Sequence, residues 1–247
     1  MQRKAREQIT EAEAFFPSQE IVREIDRRLC EVYGVSRLGN KDDPLDELIF
    51  IILSGATQET KYNATYDALR SAFPTWDDVA GTTPAAIEAI IRFGGLAKKK
   101  STAIARLLAA IVDRVGRADL SFLRELNDEA AYVFLRQLPG VGPKTARCVL
   151  SYSLNRPAFA VDAHVERLMR RLGWTQHHRL TDRVHNRLQE IVPPDIRLSL
   201  HVNFVVHGRL ICTERDPRCA DCILADICPS AFRIGEKSNY ERAANWP

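Results

Sequence analysis

Lys144 stands in Leu138-Pro139-Gly140-Val141-Gly142-Pro143-Lys144-Thr145-Ala146, where a glycine turn gives way to a helical pattern. A cation in the first turn of a helix faces the positive end of the dipole, which disfavours its ammonium form. The environment is expected to lower the lysine pKa and keep some neutral amine available, the requirement of a Schiff-base lysine. An isolated lysine at such a place is more often a solvated side chain or a phosphate contact. Asp162 tips the balance. It lies eighteen positions on, in Ala160-Val161-Asp162-Ala163-His164-Val165-Glu166-Arg167-Leu168, and opens the apolar stripe Val161, Val165, Leu168, Met169 and Leu172. Its everyday role there is to cap a helix. A capping carboxylate is also held rigidly, so it can serve a reaction at the same time.

The turn itself suits a phosphate. Gly140 and Gly142 can both adopt positive φ, and Pro143 is preset for the first position of a helix. Backbone N–H groups of such a turn, backed by a helix dipole, hold an anion and ignore base sequence. Gly140, Val141 and Gly142 are therefore candidate nucleic-acid contacts, although glycine and proline also punctuate ordinary interhelical turns.

Cys212, Cys219, Cys222 and Cys228 form a C-x6-C-x2-C-x5-C pattern that gathers four of the six cysteines into seventeen residues. No export signal is visible in Met1 to Ala14, where Arg3, Lys4 and Arg6 mix with Glu7, Glu11 and Glu13. Without oxidising export, such a cluster points to metal rather than disulfides. Structural zinc usually pairs two short C-x2-4-C units, and only one is present. The wider gaps favour a [4Fe–4S] cluster, whose four irons each need a separate thiolate. Cys30 and Cys148 fall on apolar helical faces and read as small buried hydrophobes.

These groups need a scaffold, and its period is helical. Ser18 is expected to cap a helix with the face Ile21, Val22, Ile25, Leu29 and Val32, stopped by Gly34. Asp43-Pro44 opens the strongly apolar stretch Leu45 to Leu53, which must be buried almost all round as a central core helix. After Ser54-Gly55-Ala56-Thr57-Gln58-Glu59-Thr60 comes a helix with Tyr62, Tyr66, Leu69 and Phe73. Thr83-Pro84 starts another, which Gly94-Gly95 stops. Leu96 then precedes Lys98-Lys99-Lys100 and the stripe Ile104, Leu107, Leu108 and Ile111. A lysine run is usually a solvated face, with phosphate contact as the rival. Leu96 either tucks into the core or projects into DNA as a wedge. No stretch alternates as a strand does, so the fold class is all-α. The net charge of +3 is compatible with nucleic acid without proving it, and 45% hydrophobic residues are ample for a core. The longest apolar run is too short to span a membrane.

Taken together, L-P-G-V-G-P-K-T-A, A-V-D-A-H-V-E-R-L, H-G-R-L-I-C and the cysteine pattern resemble the endonuclease III family of helix-hairpin-helix DNA glycosylases, over about Leu45 to Cys228. The resemblance implies two helical domains flanking a DNA-binding cleft. Residues 41–156 would form a six-helix domain with the helix-hairpin-helix. Residues 1–40 and 157–247 would form an iron–sulfur cluster domain. Lys144 matches the catalytic lysine, Asp162 the catalytic aspartate and the four cysteines the [4Fe–4S] ligands. The implied activity is release of oxidised pyrimidines from duplex DNA with lyase cleavage at abasic sites. The implied partner is double-stranded DNA containing damaged bases or abasic sites; a monomer and an intracellular, nucleoid-associated location are expected, with no membrane partner.

The chain departs from the family in the loops that probe DNA. Ala56 stands where the family commonly places a glutamine that fills the gap left by a flipped nucleotide, with Gln58 two positions away. Leu96 matches the wedging leucine, but Gly94 replaces a larger apolar residue. Ala56 and Gly94 are therefore expected to weaken gap filling. Two rivals stay open: a monofunctional adenine or thymine mismatch glycosylase, and a non-enzymatic helix-hairpin-helix DNA-binding protein with structural zinc. Relatives of the first kind usually lack a lysine at position 144, and the adenine enzymes carry a further C-terminal domain where only about twenty residues follow Cys228 here. Lys144 and Asp162 together argue against the second.

Overall fold

The computed structural model describes residues 16–34, 38–175 and 181–233. The N-terminal stretch read for export signals, and most of the segment after Cys228, lie outside the described residues. Among the described residues every regular element is helical. The chain divides into two compact units: 38–160, and the combination of 1–37 with 161–247.

In unit 38–160, α2 (Pro44–Ser54) is the axis. Asp43 caps it with bonds from the Leu45 and Asp46 N–H groups, and Pro44 takes the first position, where a missing N–H costs nothing. Leu45, Leu48, Ile49, Phe50, Ile51 and Leu53 are all buried. Each such burial is worth about 1.5–3 kcal/mol, which fixes α2 at the centre. It packs on α3 (Glu59–Ala72), α6 (Ala97–Val115) and α8 (Pro143–Tyr152). Phe50 meets Tyr62 and Tyr66 edge-on, at centroid distances of 5.2 and 5.5 Å. The five-residue α4 (Trp76–Ala80) is too short to show a period in sequence. Its capping box, Thr75 with Asp78, and the Trp76 indole bond to Asp46 explain why it forms. Then come α5 (Pro84–Ile91), α6 and α7 (Asp128–Arg136). Six helices of this unit have eight residues or more, with α4 in addition.

The other unit holds α1 (Gln19–Tyr33), α9 (Ala163–Arg171), α10 (Asp182–Ile191) and α11 (Arg197–Leu210). Ser18 caps α1, and Gly34 ends it at φ 68°. The expected apolar face is narrower than its sequence suggests. Val22, Ile25 and Leu29 are buried, whereas Ile21 and Val32 are exposed. The Asp26 carboxylate takes part of the buried face, accepting from the Ser199 hydroxyl at 2.8 Å. α11 packs between α1 and α9, and Gly208 permits the second approach. A Cβ there would lie 3.0 Å from both His164 Cβ and an Arg167 nitrogen. The glycine of H-G-R-L-I-C is thus a close-packing residue.

Candidate active site and cysteine centre

α7 ends at Arg136, and the chain turns through Leu138 to Gly142 into α8. Leu138 and Val141 are buried and pin the turn to the core. Gly140 takes φ +81° with open space where a Cβ would lie, a conformation that L residues pay to adopt. Gly142 does not follow the expectation of a second positive φ. It is extended, at φ −84° and ψ 175°, because it is the N-cap of α8. It has no side chain to cap with, so the first turn of α8 is left to backbone, solvent or ligand. Arg136 steadies the turn by donating to the Val141 carbonyl at 2.8 Å.

Lys144 is the second residue of α8 and half-buried. Its ammonium is one of the charges acting on Glu47, a residue that periodicity hides because it sits in the apolar run of α2. Glu47 is fully buried. It accepts from Asn40 Nδ2 at 2.6 Å and from the Lys41 N–H at 2.8 Å. Burial pushes its pKa up to about 7, against the opposing pull of these bonds and of Lys144 and Lys41. A carboxyl with a raised pKa binds its proton more tightly when folded than when unfolded. Its stabilising contribution is complete below about pH 4.5 and is lost as pH rises through about 7. Glu47→Gln should therefore flatten the decline in stability between pH 5 and 8, a decline of about 3 kcal/mol by linkage. Urea unfolding of both proteins at the two pH values measures it; parallel declines would rule Glu47 out as the source.

Asp162 is the N-cap of α9, with Oδ1 accepting from the His164 and Val165 N–H groups at 2.9 Å each. Its everyday role is thus observed. Lys144 belongs to unit 38–160 and Asp162 to the other unit.

The two loops named from sequence meet each other. Ala56, at φ 51°, and Gln58 are exposed in the 54–58 loop. Leu96, at φ 52°, is 55% exposed, so it projects rather than tucking into the core. Gly94 is not the unfilled position expected from sequence. It is buried against α3, where a Cβ would lie 2.3 Å from Thr65 Oγ1. The apolar surface instead falls on Phe93, 52% exposed, which sequence reading passed over as part of a helix end. The lysine run also splits. Lys98 and Lys99 are exposed, while Lys100 is buried.

Cys212, Cys219, Cys222 and Cys228 line one recess together with Arg171, Ile211 and others. Among the described residues, no three His, Cys, Asp or Glu side chains form a group for a single metal ion. Cys148 is buried as expected, while Cys30 is only half-buried and bonds Asn203 Nδ2 at 3.3 Å. Residues outside the cysteine motif build the recess. Arg171 donates to Cys212 Sγ at 3.0 Å and to the carbonyls of Cys212, Thr213 and Glu214. Arg167, one turn earlier on α9, donates to the carbonyls of Cys212 and Gly208. Tyr33 OH lies 2.8 Å from His207 Nδ1, and His207 Nε2 lies 3.3 Å from Cys222 Sγ. Burial lowers the His207 pKa to about 4, so the ring is neutral and Nε2–H donates to sulfur when Nδ1 accepts from Tyr33. Burial, reinforced by the other cysteines, pushes the Cys228 thiol up to about 11. Raised thiol pKa values are reversed where a cation is bound, because a coordinating thiol is deprotonated.

Comparison with known proteins places these features in company. The profile described as HhH-GPD superfamily base excision DNA repair protein matches residues 49–194. Endonuclease III of Thermotoga maritima is 29% identical over 218 residues, 88% of this chain and 95% of that one. A protein of Arabidopsis thaliana named as a DNA glycosylase is 34% identical over 170 residues; the match takes in 69% of this chain and 58% of its own length. Among solved structures, a non-covalent endonuclease III–DNA complex superposes with a TM-score of 0.76 at 26% identity, over 88% of this chain and 98% of that one.

Proposed function

The chain belongs to the HhH-GPD superfamily of base excision DNA repair proteins, and from that premise we propose that it is a DNA glycosylase with abasic-site lyase activity, acting on oxidised pyrimidines in duplex DNA. The observation that carries this reading is Lys144 itself, a half-buried amine in the first turn of α8 behind the Leu138–Gly142 turn.

The turn would take a DNA phosphate on its backbone, fixing register without reading sequence. The damaged base leaves the stack at a cost of roughly a few kcal/mol, smallest where pairing is already weak. Lys144, as neutral amine, attacks the anomeric carbon; the C–N bond to the base breaks, and its electron pair departs with the base. Asp162 stabilises positive charge developing on the sugar, or takes the proton that the amine releases. Loss of the ring oxygen bond gives an imine between Lys144 and the sugar. Removal of a proton from the neighbouring carbon expels the 3′ phosphate, and water then frees the lysine. The Lys144 ammonium acts electrostatically on Glu47. Conversion of the ammonium to a neutral amine or imine withdraws a charge that holds the Glu47 pKa down, so the step couples to a proton held in the core.

The recess fits the [4Fe–4S] cluster implied by the cysteine spacing. All four thiols line one recess without closing on a single ion among the described residues, and Arg171 and His207 already bond two of the sulfurs. Cys212, Cys219, Cys222 and Cys228 would each hold one iron, and the group would supply a structural tie between α9, α11 and the C-terminal loop. Protein purified anaerobically should be brown and carry about four irons with matching sulfide. Stoichiometric zinc without sulfide would defeat this assignment.

The test of function is strand cleavage across duplexes bearing oxidised pyrimidines, abasic sites, mismatches and oxidised purines, with borohydride added to capture the imine. Cleavage and a borohydride-dependent covalent complex are expected on oxidised pyrimidines and abasic sites. Base release without cleavage or capture would mark a monofunctional enzyme, and binding without either would mark a DNA-binding protein.

A further inference from the structure

Lys100 is 5% exposed, although its two neighbours in the lysine run are in solvent. Burying an ammonium is expensive unless partners replace its water. Nζ donates to the Leu53 carbonyl at 2.6 Å and to Thr57 Oγ1 at 2.5 Å, with the Gly94 carbonyl at 3.5 Å. Those acceptors come from three places: the last turn of α2, the 54–58 loop, and the turn before α6. Thr57 closes the circuit, its hydroxyl lying 3.0 Å from the Gly94 carbonyl and 3.1 Å from that of Gly55. Gly94 is in turn pressed against Thr65 so tightly that no Cβ would fit.

On the outer side of this clasp the two loops carry Ala56 and Leu96 at positive φ, a conformation that is strained for a non-glycine residue and persists only where the surroundings hold it. They also present Gln58, Phe93 and Leu96 to solvent. A core lysine with only a packing role would not need to bridge the Thr57 hydroxyl of one loop and the Gly94 carbonyl of the other, where both loops carry strained, exposed residues.

We propose that Lys100 is a positioning residue that locks the 54–58 and 93–96 loops into one rigid probe, so that Phe93 and Leu96 together are held against the base stack while a nucleotide leaves it. This rests on the DNA-repair reading above. Opening a stacked step is costly, and an apolar wedge recovers that cost only if its backbone does not yield. Phe93 would supply the apolar volume that the buried Gly94 cannot.

The experiment uses the full-length protein with its metal centre, comparing the unmodified chain with Lys100→Met, which keeps the stem and removes the donors, and Thr57→Val, which breaks the hydroxyl link. Three quantities are read: single-turnover cleavage of an abasic duplex, borohydride capture on the same strand without its complement, and fluorescence of 2-aminopurine next to the abasic site, which reports unstacking. Single strands have no stack to open. For Lys100→Met the ratio of duplex to single-strand rates should fall about tenfold or more, and the 2-aminopurine signal should drop with it. Thr57→Val should move both the same way by a smaller factor, and it decides alone if Lys100→Met does not fold. An unaltered ratio, or equal losses on both substrates, would overturn the clasp. An unmodified protein that captures neither substrate would instead sink the DNA-repair reading and the clasp with it.

Discussion

Lys144→Gln should abolish borohydride capture of abasic DNA, a loss of roughly a thousandfold or more, because removing a covalent nucleophile eliminates the route rather than slowing it. The fold should survive. Lys144 is half-buried at the second position of α8, where a cation opposes the helix dipole, so loss of its charge relieves about 0.3–1 kcal/mol of unfavourable interaction. A second effect runs through Glu47, whose pKa is held down in part by the Lys144 ammonium. With glutamine at 144, Glu47 should bind its proton more tightly, and the fall in stability with pH should move to higher pH. Urea unfolding at several pH values beside the capture assay reads both effects in one protein. Capture that survives the substitution would transfer the chemistry to another amine, with the exposed Lys98 and Lys99 the first to be replaced.

How much of this was legible beforehand depends on what each residue does. Caps and stops announce themselves locally: Ser18, Asp43, Thr83 and Gly34 act where their residue types suggested. The central position of α2 followed from its apolar circumference. The four cysteines share a recess, as their spacing implied. What could not be read was tertiary compensation. Glu47 and Lys100 are charged residues that sequence places on a surface by default, and each is buried only because distant partners satisfy it: Asn40 and the Lys41 backbone in one case, Leu53 and Thr57 in the other. Gly94 was open to misreading for the same reason. Its lack of a side chain looked like a missing wedge, whereas the space belongs to Thr65 across the interface with α3. Arg167 and Arg171 lie off the apolar stripe Val165, Leu168 and Met169, yet their guanidinium groups organise the carbonyls and sulfur around Cys212.

Asp162 is the residue whose two roles can be separated by a pair of substitutions. Its Oδ1 caps α9 by accepting from His164 and Val165. Asparagine caps helices about as well as aspartate, since it keeps a carbonyl oxygen in the same place, whereas alanine forfeits about 0.5–2 kcal/mol. The charge is a different matter. A sugar that loses its base develops positive charge, and a neutral amide neither stabilises that charge nor accepts a proton at working pH. Asp162→Asn should therefore leave thermal stability close to that of the unmodified protein while slowing base release by roughly a hundredfold or more. Asp162→Ala should show the same chemical loss together with the capping penalty. Capture at a preformed abasic site should suffer less than base release in both variants, because the base has already gone. If Asp162→Asn released the base at the unmodified rate while Asp162→Ala lost both stability and activity, the carboxylate would be a helix cap alone, and the stabilising charge would have to come from elsewhere in the site.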